Sequence, residues 1–134
     1  MEIYKSKFLE IIPQGELMEF VWSDYSVHLT DEDFRQELLQ EVKMVKQYRP
    51  THLLIDTTNF MFAISPDVQT WIDEEVYPAW ADAGVVKIAL LMSPEFIAQL
   101  SLEQAIDENT QKLLESDFFE SRDNALSWFG IEVM

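Results

Sequence analysis

The fold is indicated most clearly by THLLIDTTNFMFAISP, residues 51–66. Its first part contains Leu53-Leu54-Ile55, a short apolar run between polar residues, which is typical of a central β-strand covered on both faces. Its last part, Ser65-Pro66, is typical of a helix start, because serine caps free backbone N–H groups and proline is tolerated at the first helical position. A buried strand followed by a helix is the basic unit of an α/β fold.

The residues before this stretch predict an antiparallel hairpin and a helix. We predict strands over residues 3–12 and 17–22, joined by a turn at Pro13-Gln14-Gly15. Thr30, followed by three acidic residues, predicts a helix start, and Pro50 ends that helix. Helical spacing gives the helix one apolar face, which comprises Phe34, Leu38, Leu39, Val42, Val45 and Tyr48.

The residues after this stretch predict a continued alternation of helices and strands. The helix that begins at Pro66 should be kinked or interrupted by Pro78 and capped by Gly84. We then predict a strand over 85–92, a helix over 94–108 and a strand over 113–119. A short helix capped by Ser121 and closed by Gly130 completes the chain. The expected buried face of the first of these helices carries Val68, Trp71, Ile72, Val76 and Trp80.

The predicted order is therefore β-β-α-β-α-β-α-β-α. Strands that alternate with helices pair in parallel through right-handed crossovers. We expect one domain, residues 1–134, of the α/β class. Its single-layer mixed sheet should be mostly parallel, with an N-terminal antiparallel hairpin.

Composition and charge narrow the classes of function. The 134 residues are 48% hydrophobic and contain no cysteine, and no apolar run approaches the roughly 20 residues that cross a bilayer. The N-terminal residues lack the pattern of a signal peptide, so we expect a cytoplasmic protein without membrane insertion. The net charge is −16, and Lys87 is the only Lys or Arg between Pro50 and Gln111. This argues against nucleic-acid binding, which depends on Lys and Arg.

The element order resembles the STAS/SpoIIAA-like family, in particular its small stand-alone bacterial branch. The resemblance covers nearly the whole chain and is carried by Leu54-Ile55-Asp56, Ser65-Pro66, Phe118-Phe119-Glu120-Ser121 and Ala125-Leu126-Ser127-Trp128-Phe129. None of these segments is a catalytic signature. The resemblance therefore implies an architecture and a non-catalytic regulatory or protein-interaction role.

The resemblance also draws attention to Ser65. The best-known members of the family are anti-sigma-factor antagonists, which are switched by phosphorylation of a serine that follows an aspartate. The comparable pair here is Ile64-Ser65, so the serine is present and the aspartate is replaced. Two roles stay open for Ser65: a helix cap, or a phosphoacceptor.

Polar residues follow the central strand at the edge where ligands of α/β folds usually bind. They are Asp56, Thr57, Thr58, Asn59 and Ser65. Helix N-termini at this edge would favour an anion, but nearby segments offer no Lys or Arg, so a nucleotide site is not expected. The alternative interpretation is turn and capping chemistry.

The apolar loop, Phe60–Ile64, places five apolar residues, including Phe62, where a polar connection is usual. It can pack into its own core, form a dimer or partner surface, or roof an apolar ligand pocket together with Trp71, Tyr77 and Trp80. These residues and the polar edge form the predicted ligand or partner surface.

Two main hypotheses follow. The first is a non-catalytic interaction module that binds a protein partner or a second copy of itself, and the alternative is a binder of a small apolar or amphipathic molecule. An enzyme that uses Asp56 is a third hypothesis. We predict no cofactor and no metal site, because His28 and His52 lack a nearby ligand partner and Asp73, Glu74 and Glu75 point in different directions around a helix.

Overall fold

The computed structural model describes residues 3–92 and 114–130. The strands are β1 (Tyr4–Lys5), β2 (Leu9–Gln14), β3 (Leu17–Trp22), β4 (His52–Asp56), β5 (Lys87–Leu91) and β6 (Glu115–Phe119). The helices are α1 (Asp31–Tyr48), α2 (Pro66–Trp71), α3 (Tyr77–Ala83) and α4 (Arg122–Phe129). A 3₁₀ helix, Asp24–His28, precedes α1, and a π-helical turn, Ile72–Val76, joins α2 to α3.

The six strands form one mixed sheet in chain order, β1-β2-β3-β4-β5-β6. The first three strands pair antiparallel, and β3 to β6 are parallel. The predicted α/β class, with an antiparallel N-terminal hairpin and a parallel remainder, is confirmed. Because β3, β4 and β5 follow one another in one direction, right-handed crossovers place the two connections between them on the same face of the sheet. Helices α1 and α3 accordingly contact each other over one face.

The N-terminal segment differs from the single strand predicted over 3–12. The chain turns back after Lys5, because Ser6 Oγ accepts hydrogen bonds from the backbone N–H groups of Phe8 and Leu9, at 3.1 Å each. The short β1 therefore pairs with β2, and only Glu10 and Ile11 of β2 have β1 partners. The 3₁₀ helix, which we did not predict, follows β3. The helix predicted over 94–108 lies outside the described residues.

Helix α1 begins and ends as its sequence predicts. Thr30 Oγ1 accepts from the N–H of Asp33 at 3.1 Å, while Asp33 accepts from the N–H of Thr30 at 3.3 Å, which forms a capping box. The helix ends where Arg49 adopts a left-handed conformation, with φ of 50°, immediately before Pro50. One predicted core position is wrong: Leu39 is 46% exposed.

The second crossover is a continuous helix with a widened turn in its middle. The N–H of Tyr77 donates to the carbonyl of Ile72, five residues earlier, as in a π-helix. Pro78 follows directly; it has no N–H, and its ring would clash with the carbonyl four residues before it in a regular helix. The predicted interruption at Pro78 is therefore present as a π-helical turn, and Gly84 caps the helix at φ of 110°.

Alternating residues of the strands fill two cores. On the face covered by α1, α2 and α3, Phe20 and Trp22 of β3 lie beside Leu53 and Ile55 of β4. On the opposite face, α4 covers a smaller core that contains Leu17, Leu54, Ala89, Leu91, Ala125, Leu126 and Phe129. The candidate site lies on the first face.

Candidate functional site

A partly enclosed cavity of about 130 Å³ lies between the sheet and helices α1 and α3. Helix α1 contributes Phe34, Leu38 and Glu41 to its wall. The sheet, the strand ends and the apolar loop contribute Trp22, Ile55, Thr57, Phe60, Ile64, Ile88, Leu90, Leu114 and Ser116. Most of this wall is apolar or aromatic, which is typical of a site for a small organic molecule.

The π-helical turn shapes the opposite wall. Ile72 and Val76 bound the turn, and both line the cavity together with Tyr77 and Trp80. A π-helical turn occurs frequently at functional sites, because it rotates the following side chains relative to a regular helix. Here the turn and α3 bring two aromatic side chains to the cavity wall.

Glu41 is the one ionisable carboxyl among the described lining residues. Its side chain is 1% exposed, and Oε2 has no hydrogen-bond partner among residues 3–92 and 114–130. Burial raises the pKa of Glu41 well above its usual value, and the nearby charge of Glu37 raises it further. Burial therefore favours the neutral form of this carboxyl group, which can donate as well as accept a hydrogen bond.

Trp80 is the second lining residue with an unpartnered polar atom. It is 3% exposed, and its ring lies 5.9 Å from Phe20 and 5.8 Å from Tyr77. Its Nε1 is buried without a hydrogen-bond partner in the described part of the chain. Buried polar groups of native proteins are nearly always hydrogen-bonded, so Glu41 Oε2 and Trp80 Nε1 are exceptions within the described part of the chain.

Glu37, one helical turn before Glu41, is buried but fully engaged. It accepts hydrogen bonds from the hydroxyl of Tyr4, at 2.6 Å, and from that of Ser6. Burial, followed by this bond to Glu37, raises the pKa of Tyr4 to about 12. Glu37 does not belong to the described wall of the cavity; it holds β1 against α1, whereas Glu41 lines the cavity.

The apolar loop divides between core and surface. Phe60 packs at 5.1 Å from Trp22, and Phe62 packs at 5.0 Å from Phe34, so both rings are half-buried. Met61 is 60% exposed, and its N–H donates to Ser26 Oγ at 2.8 Å. The loop therefore packs into its own core and also roofs the cavity, through Phe60 and Ile64.

The structure brings three of the predicted surface residues to the cavity: Thr57, Phe60 and Trp80. Tyr77, predicted as a possible roof residue, also lines it. The remaining predicted residues do not belong to its described wall: Asp56, Thr58, Asn59, Phe62, Ser65 and Trp71. Asp56 accepts from the N–H of Thr58 at 3.0 Å, as in a turn, and Ser65 accepts from the N–H of Val68 at 3.3 Å, as a helix cap.

Glu41 was missed in the sequence analysis, although its spacing contains a signal. It follows Leu38 by three residues and precedes Val45 by four, so it falls on the apolar face of α1. A carboxyl group at such a position is either paired or functional, because an unpaired buried charge is very costly. Glu37 precedes Glu41 by four residues and shares that face.

Two further properties concern the described residues as a whole. Among residues 3–92 and 114–130, no group of three or more His, Cys, Asp or Glu side chains is arranged to hold a metal ion. None of the helices described is both long and apolar enough to cross a membrane.

Comparisons of the chain with models of protein families, with curated proteins and with solved structures found no match.

Proposed function

We propose that the protein binds a small, largely apolar molecule in the cavity between the sheet and helices α1 and α3. The observation that carries this proposal is the cavity itself, whose wall is aromatic and aliphatic apart from a few polar atoms. Apolar cavities of about 150 Å³ hold a benzene-sized molecule, so this one suits a single ring or a short aliphatic chain. A molecule bound there would contact α1, α3 and the sheet at the same time.

The test uses toluene as a ring-sized probe and compares two variants of the apolar loop. Ile64→Phe places extra volume in the cavity wall, whereas Met61→Phe adds it to an exposed position of the same loop. At about ten times its Kd, toluene should raise the Tm of the wild type by roughly 5 °C, because it binds the native state alone.

The Met61→Phe variant should show the same shift as the wild type, and Ile64→Phe should show little or none. Toluene should also change the tryptophan emission in the variants whose Tm it raises, because Trp22 and Trp80 line the cavity. A wild-type Tm and emission that stay constant up to saturating toluene would contradict the proposal.

A second candidate is the regulatory or protein-interaction role that the STAS/SpoIIAA-like resemblance implies. Exposed Met61 and Val27 support it, because the bond from Met61 to Ser26 places their segments side by side. Adjacent exposed apolar side chains often mark contact surfaces. In this candidate the protein acts without catalysis, through a partner protein or a second copy of itself.

Light scattering tests self-association through this surface. The double variant Val27→Asn/Met61→Asn should lower the average mass at high protein concentration, because it removes exposed apolar area. Val86→Asn is the matched control, since Val86 is 53% exposed just before β5, at the other end of the parallel strands. A wild type that stays monomeric at every concentration would rule out a homodimer.

A further inference from the structure

We propose that the cavity takes an uncharged aromatic ring in preference to a saturated ring or chain of similar size. This inference rests on the proposed function, because it names the class of molecule that the same cavity binds. It is carried by the aromatic side chains of the described wall, which come from four parts of the chain. They are Trp22 of β3, Phe34 of α1, Phe60 of the apolar loop, and Tyr77 and Trp80 of α3.

The first three of these rings form one group. The centroid of the Trp22 ring lies 5.1 Å from that of Phe60 and 5.4 Å from that of Phe34, and the latter two are 5.7 Å apart. Trp22 and Phe60 meet edge to face, with 68° between the ring planes. Aromatic rings favour this arrangement, because the edge of a ring is positive and its face is negative. One part of the wall therefore consists of rings that pack on each other and also border the cavity.

The other two rings form a second group. The ring centroids of Tyr77 and Trp80 are 5.8 Å apart, and both rings follow the π-helical turn. Both groups line the same cavity, so a ring that fills it would contact both. Each favourable aromatic pair strengthens an interaction about two- to tenfold beyond the effect of the area it buries. A saturated ring lacks this contribution, so the wall favours an aromatic one.

The absence of counter-charges determines the charge of the ring. None of the described lining residues is Lys or Arg, so a ligand carboxylate would lose its hydration without a counter-ion, which is costly. A cation would be attracted by the ring faces, but it would also lose its hydration. Burial favours the neutral form of Glu41, the one carboxyl of the described wall, and its Oε2 is covered by the protein. The wall therefore suits a ring without charge.

Four probes of similar outline separate these classes: toluene, methylcyclohexane, benzylamine and benzoate. Calorimetry on the full chain at pH 7 gives their affinities. The measured partition of toluene and methylcyclohexane between water and hexadecane corrects for their different hydrophobicity. After this correction, toluene should bind about threefold or more tightly than methylcyclohexane. Benzylamine and benzoate, which are charged at this pH, should bind about tenfold or more weakly than toluene.

Three variants locate the preference. Phe60→Leu removes a ring of the wall and should lower the advantage of toluene over methylcyclohexane about twofold or more. Phe62→Leu removes a ring of the same loop that does not belong to the described wall, so it should keep the advantage. Leu90→Val enlarges the cavity without removing a ring and should also keep it. An equal loss in Leu90→Val and Phe60→Leu would show that space, and not ring contact, selects the ligand.

The outcomes distinguish this inference from the function on which it rests. If methylcyclohexane binds as tightly as toluene after the correction, the cavity binds apolar molecules of either kind, and the inference is wrong while the function stands. Tighter binding of benzylamine or benzoate than of toluene would also overturn it. An equal loss of the advantage in Phe62→Leu and Phe60→Leu would do the same. If none of the four probes binds, the proposed function itself fails.

Discussion

At the scale of single residues, Glu41 shows that the position of a side chain in the fold can change its pKa. The same glutamate on the outer face of α1 would be an ordinary solvated carboxylate, but at this point of the helix it is 1% exposed. Its pKa rises because the charged form would lose hydration and lie near Glu37. Burial in this apolar wall therefore favours the neutral acid, the form that can act as a hydrogen-bond donor.

The raised pKa predicts a specific dependence of stability on pH. Above the ordinary value of 4.5, the folded chain holds a proton on Glu41 that the unfolded chain has lost. This contribution to stability is complete below about pH 4.5 and is lost as the pH rises through the folded-state pKa. We therefore expect the free energy of unfolding of Glu41→Gln, relative to the wild type, to increase between pH 4.5 and pH 8, as measured by urea denaturation.

Glu37→Gln is the matched control for this measurement. An amide at position 37 can accept one of the two hydroxyl hydrogen bonds but not both, so we expect a loss of about 1–2 kcal/mol at every pH. If the difference between Glu41→Gln and the wild type is constant from pH 4.5 to pH 8, then folding does not raise the pKa of Glu41.

At the scale of elements, the helix termini are the features that the sequence predicted best. Thr30, Ser65 and Ser121 each accept a hydrogen bond from the N–H three residues later. Such signals are local, because a capping hydrogen bond joins two residues that are only three apart in the sequence. The π-helical turn could be predicted only as an irregularity at Pro78, because a chain can accommodate proline by a kink, a stop or a widened turn. The conformation chosen depends on what packs against it.

The cap at Ser65 gives a second prediction. Ser65 Oγ accepts from Val68 and donates to Asp31 at 3.3 Å, so it also connects the start of α2 to the start of α1. Ser65→Ala should lower the free energy of unfolding by about 1 kcal/mol, measured in urea, because the N–H of Val68 loses its acceptor.

Ser65→Asn should retain most of the stability, since asparagine is an equally good capping residue. Ser121→Ala, which removes the corresponding cap of α4, provides a comparison of similar size. Equal stability of Ser65→Ala and the wild type would show that the cap contributes little and would leave phosphorylation as the other proposed role of Ser65. That role stays a prediction.

At the scale of the whole molecule, the element order was predictable and the cavity was not. Alternating apolar strands and amphipathic helices imply a parallel sheet whose faces are covered. The structure contains this sheet, in which Leu54 of β4 lies beside Ala89 of the parallel strand β5. The cavity depends on the space left between Phe34, Leu90 and Trp80, which come from three distant parts of the chain. No local pattern contains that information, although Glu41 on an apolar helix face was a usable sign.

The net charge of −16 gives a prediction for the molecule as a whole. Repulsion among surface carboxylates destabilises the compact state, and salt weakens it by shortening the screening length from about 30 Å at 0.01 M to about 8 Å at 0.15 M. The Tm at pH 7 should therefore rise over this range of NaCl. At pH 4.2, near the isoelectric point, the same salt should have almost no effect. A Tm at pH 7 that does not depend on salt would contradict this prediction.

The short β1 has a consequence for how molecules meet. It pairs only with Glu10 and Ile11, so within residues 3–92 and 114–130 the last positions of β2 have no strand beyond them. Pro13 lies within this open edge, and a proline is tolerated in an edge strand where its nitrogen faces away from the partner strand. A strand of another molecule that paired with this edge would lack one backbone N–H donor, because Pro13 has none. Edge-to-edge pairing of this sheet with a strand of another molecule, which can lead to aggregation, is therefore obstructed on this side.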